Sequence, residues 1–503
     1  MKQLLYILVC LLFVGCGNTH DLPSSYTQID RLPSIFPDYA EVVIPPNIAP
    51  LNFMIDEEGI EDCRAEFSCR GMVYVSGQDS RVMIDEDDWQ EIVQAAKGSS
   101  IKVTVYAKRS DRWMRYHAFS IMVAEDSIDR YVTYRLIPPS YTLYEKLSLC
   151  QRDLQTFDES LIYNNQMLES VDGGQCINCH SVQNYRTDRA QFHVRAEYGG
   201  TVIYDNGKLR KVDLKRDGTI SAGVYPAWHP TEDIIAYSMN RTMQNFHTIY
   251  KGKVEVQDTQ GGLMLYDVQS DKVTVISNEQ DRLSAFPTWS PDGKYLYYAS
   301  AKFDYRDSLS LMGNDDANIS MQHEIVDRYK EVKYDIYRRS YHSESKTFGK
   351  EEMVLCASAM GKSATVPRIS PDGRYLLVAM GDYGCFHIWH PEADLYVTDL
   401  SGDDALQSTY PLTAANSNRA ESFHNWSSNG RWIIFESRRW DNNYTRLYVS
   451  YFDRKGHAHK AFQMPQENPD FEIFNRNSYN VPEFTVGKVK TTPQELARVI
   501  RED

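Results

Sequence analysis

Apolar and polar residues alternate along most of this chain, and the pattern predicts strands far more often than helices. Residues 100–107, Ser-Ile-Lys-Val-Thr-Val-Tyr-Ala, repeat with period two, the mark of a strand with one buried face. Shorter apolar runs at residues 40–44, 51–55, 118–123 and 131–137 continue the theme, with Pro45-Pro46 separating the first two. One stretch breaks it: from 87 to 97, Trp89, Ile92 and Val93 fall on one face at helical spacing. Together these runs predict an immunoglobulin-like β-sandwich over residues 39–138, interrupted by one helix. Residues 139–192 read as a polar helical or loop segment. A terminal helix within 491–503 opens on Thr492-Pro493-Gln494-Glu495, a good helix start.

The second half of the chain repeats itself. Trp289-Ser290-Pro291-Asp292-Gly293 recurs as Ile369-Ser370-Pro371-Asp372-Gly373 and as Trp426-Ser427-Ser428-Asn429-Gly430, with a weaker copy at Trp228-His229-Pro230. Each copy ends a strand, turns tightly through Asp-Gly or Asn-Gly, and begins an apolar strand. On this spacing Asp281, Asp292 and Asp372 are turn residues. Positions 228, 289, 369 and 426 lie 61, 80 and 57 residues apart. A four-stranded blade needs roughly 40–50 residues, so insertions are expected, the largest at 304–330. These copies resemble the TolB-type, WD-like propeller repeat over about residues 193–485. The resemblance implies a mainly β protein, an N-terminal sandwich followed by a propeller of about six blades spanning 193–490. Residues 199–204 and 471–474 would supply the incomplete first and last blades.

The N-terminus changes how the rest is read. Lys2, an apolar stretch from 4 to 14 and Gly15-Cys16 have the order and length of a signal peptide, too short to span a bilayer. Val14-Gly15-Cys16 resembles the lipobox of bacterial lipoproteins. That resemblance implies lipidation of Cys16, residues 17–38 as a tether, and a lipid-anchored place in the bacterial cell envelope, periplasmic or outer-membrane. Export makes disulfides chemically available. Of nine cysteines, seven remain beyond Cys10 and Cys16; the number is odd, and Cys63–Cys69 is one open pairing. The net charge of -15 argues against nucleic acid as a partner.

One motif carries chemistry. Cys176-Ile177-Asn178-Cys179-His180 is a C-x-x-C-H sequence, the attachment motif of haem c. Two thiols three residues apart can bond the two vinyl groups of a porphyrin, and the adjacent imidazole reaches the iron as proximal ligand. A redox disulfide lacks the usual βαβ context, and a structural zinc site lacks two further ligands nearby. The segment resembles a minimal cytochrome c pocket, a short haem-binding insertion between sandwich and propeller. His193 is the first candidate for the second axial ligand, with Met167, Met239, Met243 and His247 as alternatives. His387, His390, Glu392 and Asp394 form a weaker metal candidate, for which a solvated turn is the favoured reading. No G-x-S-x-G, phosphate loop or H-E-x-x-H occurs. The expected function is electron transfer with a redox partner or other envelope protein docked on the propeller. The alternatives are a propeller that binds protein or glycan with a structural haem segment, and a haem peroxidase-like enzyme.

Overall fold

The computed structural model describes residues 21–139, 146–168, 175–247, 252–303, 327–402 and 404–502. The signal stretch, Cys16 and most of the 304–330 insertion lie outside the described residues.

Six four-stranded antiparallel sheets form a β-propeller. Blade 2 comprises Gln175–Gln183, Arg186–Ala196, Gly200–Asp205 and Lys208–Val212. Blade 3 runs from Val224–Trp228 to Lys272–Ser277, blade 4 from Arg282–Trp289 to Thr347–Leu355, blade 5 from Ser363–Ile369 to Thr409–Pro411, and blade 6 from Glu421–Trp426 to Phe462–Gln463. Blade 1 is built from both ends of the propeller sequence. Tyr131–Ile137, Ser148–Asp153 and Glu159–Asn164 supply three strands, and the late strand Ser478–Thr485 pairs antiparallel with Tyr131–Ile137 as the innermost. This pairing closes the ring, and the inner strands adjoin one another from blade to blade.

The repeated turn works as its sequence suggests. Ser290 Oγ donates to Asp292 Oδ1 (2.6 Å) and accepts from the Tyr295 N–H (3.0 Å), while Gly293 sits at φ 71°. The repeated tryptophans then tie blade to blade. Trp289 Nε1 donates to the Ala227 carbonyl (3.0 Å) and Trp426 Nε1 to the Arg368 carbonyl (3.2 Å).

Residues 27–123 form a seven-stranded sheet and a three-stranded sheet around a common core that includes Phe53, Val82, Val103, Val105 and Phe119. Two pairings in the larger sheet are parallel, Thr27–Gln28 with Met114–Arg115 and Val43–Ile44 with Met122–Val123. This distinguishes it from the all-antiparallel immunoglobulin arrangement expected. The helix Glu86–Ala95, capped by Asp85, buries Trp89, Ile92 and Val93. The core continues into Trp432, Ile434 and Val449 of blade 6, and Trp432 Nε1 donates to the Ser127 carbonyl (3.1 Å).

Two boundaries differ from the sequence reading. Tyr131–Ile137 belongs to blade 1 and not to the sandwich, and residues 139–192 carry blade strands instead of a helical or loop segment. The physical reason is visible in Ser148–Asp153. Gln151, Arg152 and Asp153 are all buried there, with partners at Val489, Gln466, Pro465 and Arg130. A strand buried through satisfied polar side chains has no apolar alternation to detect. Residues 471–474 form a short helix, Phe471–Phe474, and not a blade strand. Gly200–Asp205 is the third strand of blade 2. The C-terminal helix Pro493–Arg501, closed by a Thr492–Glu495 capping box, packs Leu496, Val499 and Ile500 against blades 1 and 2. Cys63 and Cys69 lie on one face at opposite ends of the strand Asp62–Cys69. At about 3.3 Å per residue they are about 20 Å apart, far beyond disulfide reach. Among the described residues no helix is long and apolar enough to cross a membrane.

Candidate functional site in the central channel

All six inner strands share one irregularity. A bulge in each sets two residues against one on the neighbouring strand, between Asn178 and Ser181, Val224 and Ala227, Ala285 and Thr288, Thr365 and Arg368, Ser422 and Asn425, and Asn480 and Glu483. The first bulged residue is left-handed every time: Cys179, Tyr225, Phe286, Val366, Phe423 and Val481 have φ between 42° and 56°. The second is Pro226, Pro287, Pro367 or Pro482 in four blades, where the missing N–H costs no ladder bond. In blades 2 and 6 it is a histidine, His180 and His424.

The C-x-x-C-H motif is therefore in register with the propeller repeat. Cys179-His180-Ser181-Val182 occupies the same place as Tyr225-Pro226-Ala227-Trp228 and Phe423-His424-Asn425-Trp426. It is the inner strand of blade 2, not an insertion before the propeller. The bulge interrupts the alternation of faces, and Cys176, Cys179 and His180 all line the central channel. The channel has a volume of about 1220 Å³, above the roughly 300–1,000 Å³ of ordinary small-molecule sites. The long hairpin of blade 3, Ile234–Phe246 with Val254–Asp267, contributes Thr242, Gln244, Val254 and Val256 to the same wall. Glu255 on this hairpin meets His390 of blade 5 (3.0 Å), and Lys253 bonds Asn443 of blade 6. The hairpin thus reaches from blade 3 to the loops of blades 5 and 6.

His180 is buried, and neither ring nitrogen makes a hydrogen bond of normal geometry. Burial pushes its pKa down to about 3; Arg135 adds to the effect and the Thr133 backbone opposes it. The imidazole is therefore neutral with a lone pair to offer. His424 provides an internal comparison. It is equally buried and also lowered to about 3, by burial and then Arg368, yet its Nε2 bonds the Leu377 carbonyl at 3.2 Å. Leu377 in blade 5 corresponds to Thr133 in blade 1. One histidine is tied at normal distance at this position, while the other only approaches the Thr133 backbone. An unsatisfied buried imidazole costs about 1–3 kcal/mol, a penalty that ligation would remove.

The two thiols are set differently. Burial raises the Cys176 thiol, while Arg135 and Arg195 pull it back. The Cys179 N–H donates to Asn178 Oδ1 (3.0 Å), and Gln191 Nε2 holds the Cys179 carbonyl. Asn165 Oδ1 accepts the Ile177 N–H (2.9 Å). His193 faces the same channel from the second strand of blade 2, opposite Asn178. Its Nδ1 bonds Thr201 Oγ1 (3.2 Å), and burial, then Arg195, lowers its pKa to about 3. Met167, Met239, Met243 and His247 are not among the channel-lining residues; Met239 is fully buried in the core of blade 3.

Among the described residues, four arginines line the channel, Arg135, Arg195, Arg368 and Arg438, against two carboxyl groups, Glu436 and Glu483. Burial pushes both glutamates up to about 8. Glu483 accepts the Val182 N–H (3.2 Å) and Glu436 accepts from Asn480 Nδ2 (3.0 Å). The described lining is thus cationic inside an acidic protein. Sequence reading missed Arg135, Arg368, His424 and both glutamates. The signal that would have found several of them was the repeated aromatic-or-valine residue followed by Pro or His.

The candidate at His387, His390, Glu392 and Asp394 is neither a metal site nor a solvated turn. His387 Nδ1 bonds Thr365 Oγ1 (3.1 Å) and its Nε2 the Gly384 carbonyl (3.1 Å), while His390 is buried against Glu255. Among the described residues no three His, Cys, Asp or Glu side chains are grouped to hold a metal ion.

No family model matches the chain, and no curated protein matches its sequence. Among solved structures it is similar to prolyl oligopeptidase B from Galerina marginata, with 10% identity over 72% of this chain and 42% of that one, TM-score 0.34. A luciferin-regenerating enzyme matches with 10% identity over 64% of this chain and 85% of that one, TM-score 0.36. A GH74 enzyme from Niastella koreensis matches with 8% identity over 64% and 53%, TM-score 0.35. The chain spans about two-fifths of the prolyl oligopeptidase chain it matches.

Proposed function

We propose that this protein is a cell-envelope propeller carrying one covalently attached haem c in its central channel and exchanging electrons with a partner. The observation that carries the reading is His180, a buried neutral imidazole with no hydrogen bond of normal geometry, beside two thiols that line the same large channel. Cys176 and Cys179 would each add S–H across one vinyl group, consuming no other reagent, and His180 would hold the iron from the proximal side. Bound there, the haem would supply one-electron exchange at a potential set by its ligands and surroundings.

The remaining roles fall to residues of this chain. The Thr201 hydroxyl orients His193 through Nδ1, so that Nε2 would be the atom available to hold the iron. Apolar walls such as Phe286, Trp289 and Phe423 keep the dielectric low and restrict water. Lipidation at Cys16 would tether the propeller to the envelope membrane, and the acidic exterior suits a protein partner better than a nucleic acid.

The mature chain, secreted by a host with cytochrome c maturation machinery, tests this directly. A c-type pyridine haemochrome band that survives acid–acetone extraction is the expected result. A colourless, fully folded protein would sink the reading and leave a binding propeller.

A further inference from the structure

We infer that Arg368 receives the carboxylate edge of the group that Cys176 and Cys179 hold. This rests on the haem reading above and adds a residue outside the C-x-x-C-H motif.

Six inner strands follow one another round a closed ring, so blade 5 stands across the channel from blade 2. The bulge register places Arg368 two residues beyond the left-handed Val366, the level that Ser181 occupies two residues beyond Cys179. Arg368 therefore faces the attachment strand at nearly the height of the motif. Among the described residues it is the one cationic inner-strand side chain lining the channel.

In a b-type porphyrin the two vinyl groups lie on one side of the macrocycle and the two propionates on the other. A porphyrin fixed to blade 2 through its vinyl edge must point its carboxylates away from blade 2. Arg135 and Arg195 both act on Cys176 and so sit at the wrong edge. Among the described residues, Arg368 is the only cation that an inner strand offers across the lumen.

The guanidinium Nη1 of Arg368 donates to the Pro367 carbonyl (3.0 Å). Among the described residues, only Glu483 and Tyr185 act on its charge besides burial. Glu483 acts on it electrostatically, but burial keeps that carboxyl protonated up to about 8. Burial also lowers the pKa of Arg368 itself. Arg368 is half-buried in the channel wall; a partly desolvated cation without an anion is unfavourable, and a carboxylate accepting two parallel N–H bonds is the partner that guanidinium geometry fits best.

The test uses the full mature chain carrying Cys176→Ser and Cys179→Ser, which leaves the channel open to added porphyrin. Iron mesoporphyrin and its dimethyl ester, identical except for the carboxylates, are titrated by absorbance. A charged hydrogen bond is worth about 1.5–3 kcal/mol, so the diacid should bind at least about tenfold more tightly than the ester. Arg368→Gln should remove that preference and Arg368→Lys restore part of it, with unchanged circular dichroism. Equal affinities for diacid and ester in the Arg368 chain overturn the inference without needing any arginine variant. A preference that survives Arg368→Gln overturns it as well. If neither porphyrin binds at all, the haem reading fails and this inference falls with it.

Discussion

The ring is closed by one strand, and a single buried cation secures the segment leading into it. Arg446 is 1% exposed. Its Nη2 donates to the carbonyls of Asn475 (2.7 Å) and Glu472 (3.0 Å), and its Nη1 to those of Asn477 (2.8 Å) and Thr445 (3.2 Å). Its Nε lies 2.8 Å from Glu472 Oε2, itself buried. Replacing Arg446 by Met keeps the length but leaves the Glu472 carboxylate without its cation. Breaking a buried pair in this way costs about 3–5 kcal/mol. Glu472 retains Tyr479 OH (2.8 Å), Gln466 Nε2 (2.9 Å) and Asn475 Nδ2 (3.0 Å), which holds that term at its lower end. Four carbonyls also lose donors, at about 0.5–1.5 kcal/mol each where water does not replace them. We expect about 5 kcal/mol in total, roughly several thousandfold in the folded-to-unfolded ratio. Urea unfolding followed by tryptophan fluorescence reads this as a lower midpoint. Arg446→Met with Glu472→Gln should recover about 1–2 kcal/mol of the loss, because no bare carboxylate then remains buried. An Arg446→Met midpoint equal to the parent's, or a double variant no better than the single one, would refute the reasoning.

Three further outcomes are expected. His193→Ala should keep the haem covalently attached but open the sixth coordination position, seen as a high-spin ferric spectrum and new cyanide binding; an unchanged spectrum removes His193 as the ligand. Gly293→Ala should destabilise more than Gly373→Ala in thermal melts. Both turns have positive φ, at about 1–2 kcal/mol for a side chain, but only at Gly293 would the new Cβ meet a neighbour, His229 Nε2 at 2.4 Å; equal losses would contradict this. The third concerns pH. Burial raises the Asp258 carboxyl to about 7, against the pull of Tyr334, Asn240 and Cys385. The folded chain keeps this proton while the unfolded chain releases it near 4. Its contribution to stability therefore falls as pH rises from about 4 to about 7 and is level above that. Asp258→Asn should lose less stability than the parent between pH 4.5 and 7.5, and parallel curves would exclude the effect.

The candidate site was legible only in part. Cys176, Cys179, His180 and His193 were found because adjacent residues in one strand pair carry their chemistry, and all four face the channel. What could not be read was the company they keep. Arg135, Arg368 and His424 come from blades 1, 5 and 6, and nothing local to any of them signals a ligand. The motif was also placed in an insertion because its polar, cysteine-bearing strand lacks the apolar run of the other inner strands. Its kinship to them rests on a backbone feature, the left-handed residue at Cys179, which side-chain hydropathy does not report.

By itself, the sequence determined the features whose causes lie within a few residues. The turn at Ser290, Asp292 and Gly293 is complete in its own hydrogen bonds and one positive φ, so its recurrence announced a propeller. The helices beginning after Asp85 and Thr492 are fixed by their own caps. Only the tertiary structure decided how the ring closes, because Tyr131–Ile137 and Ser478–Thr485 pair across more than three hundred residues. It also decided that Ser148–Asp153 is a strand, since Gln151 and Arg152 are satisfied by groups near positions 465 and 489. Pairing and burial of polar groups at such separations depend on where the rest of the chain has gone, and no local pattern encodes that.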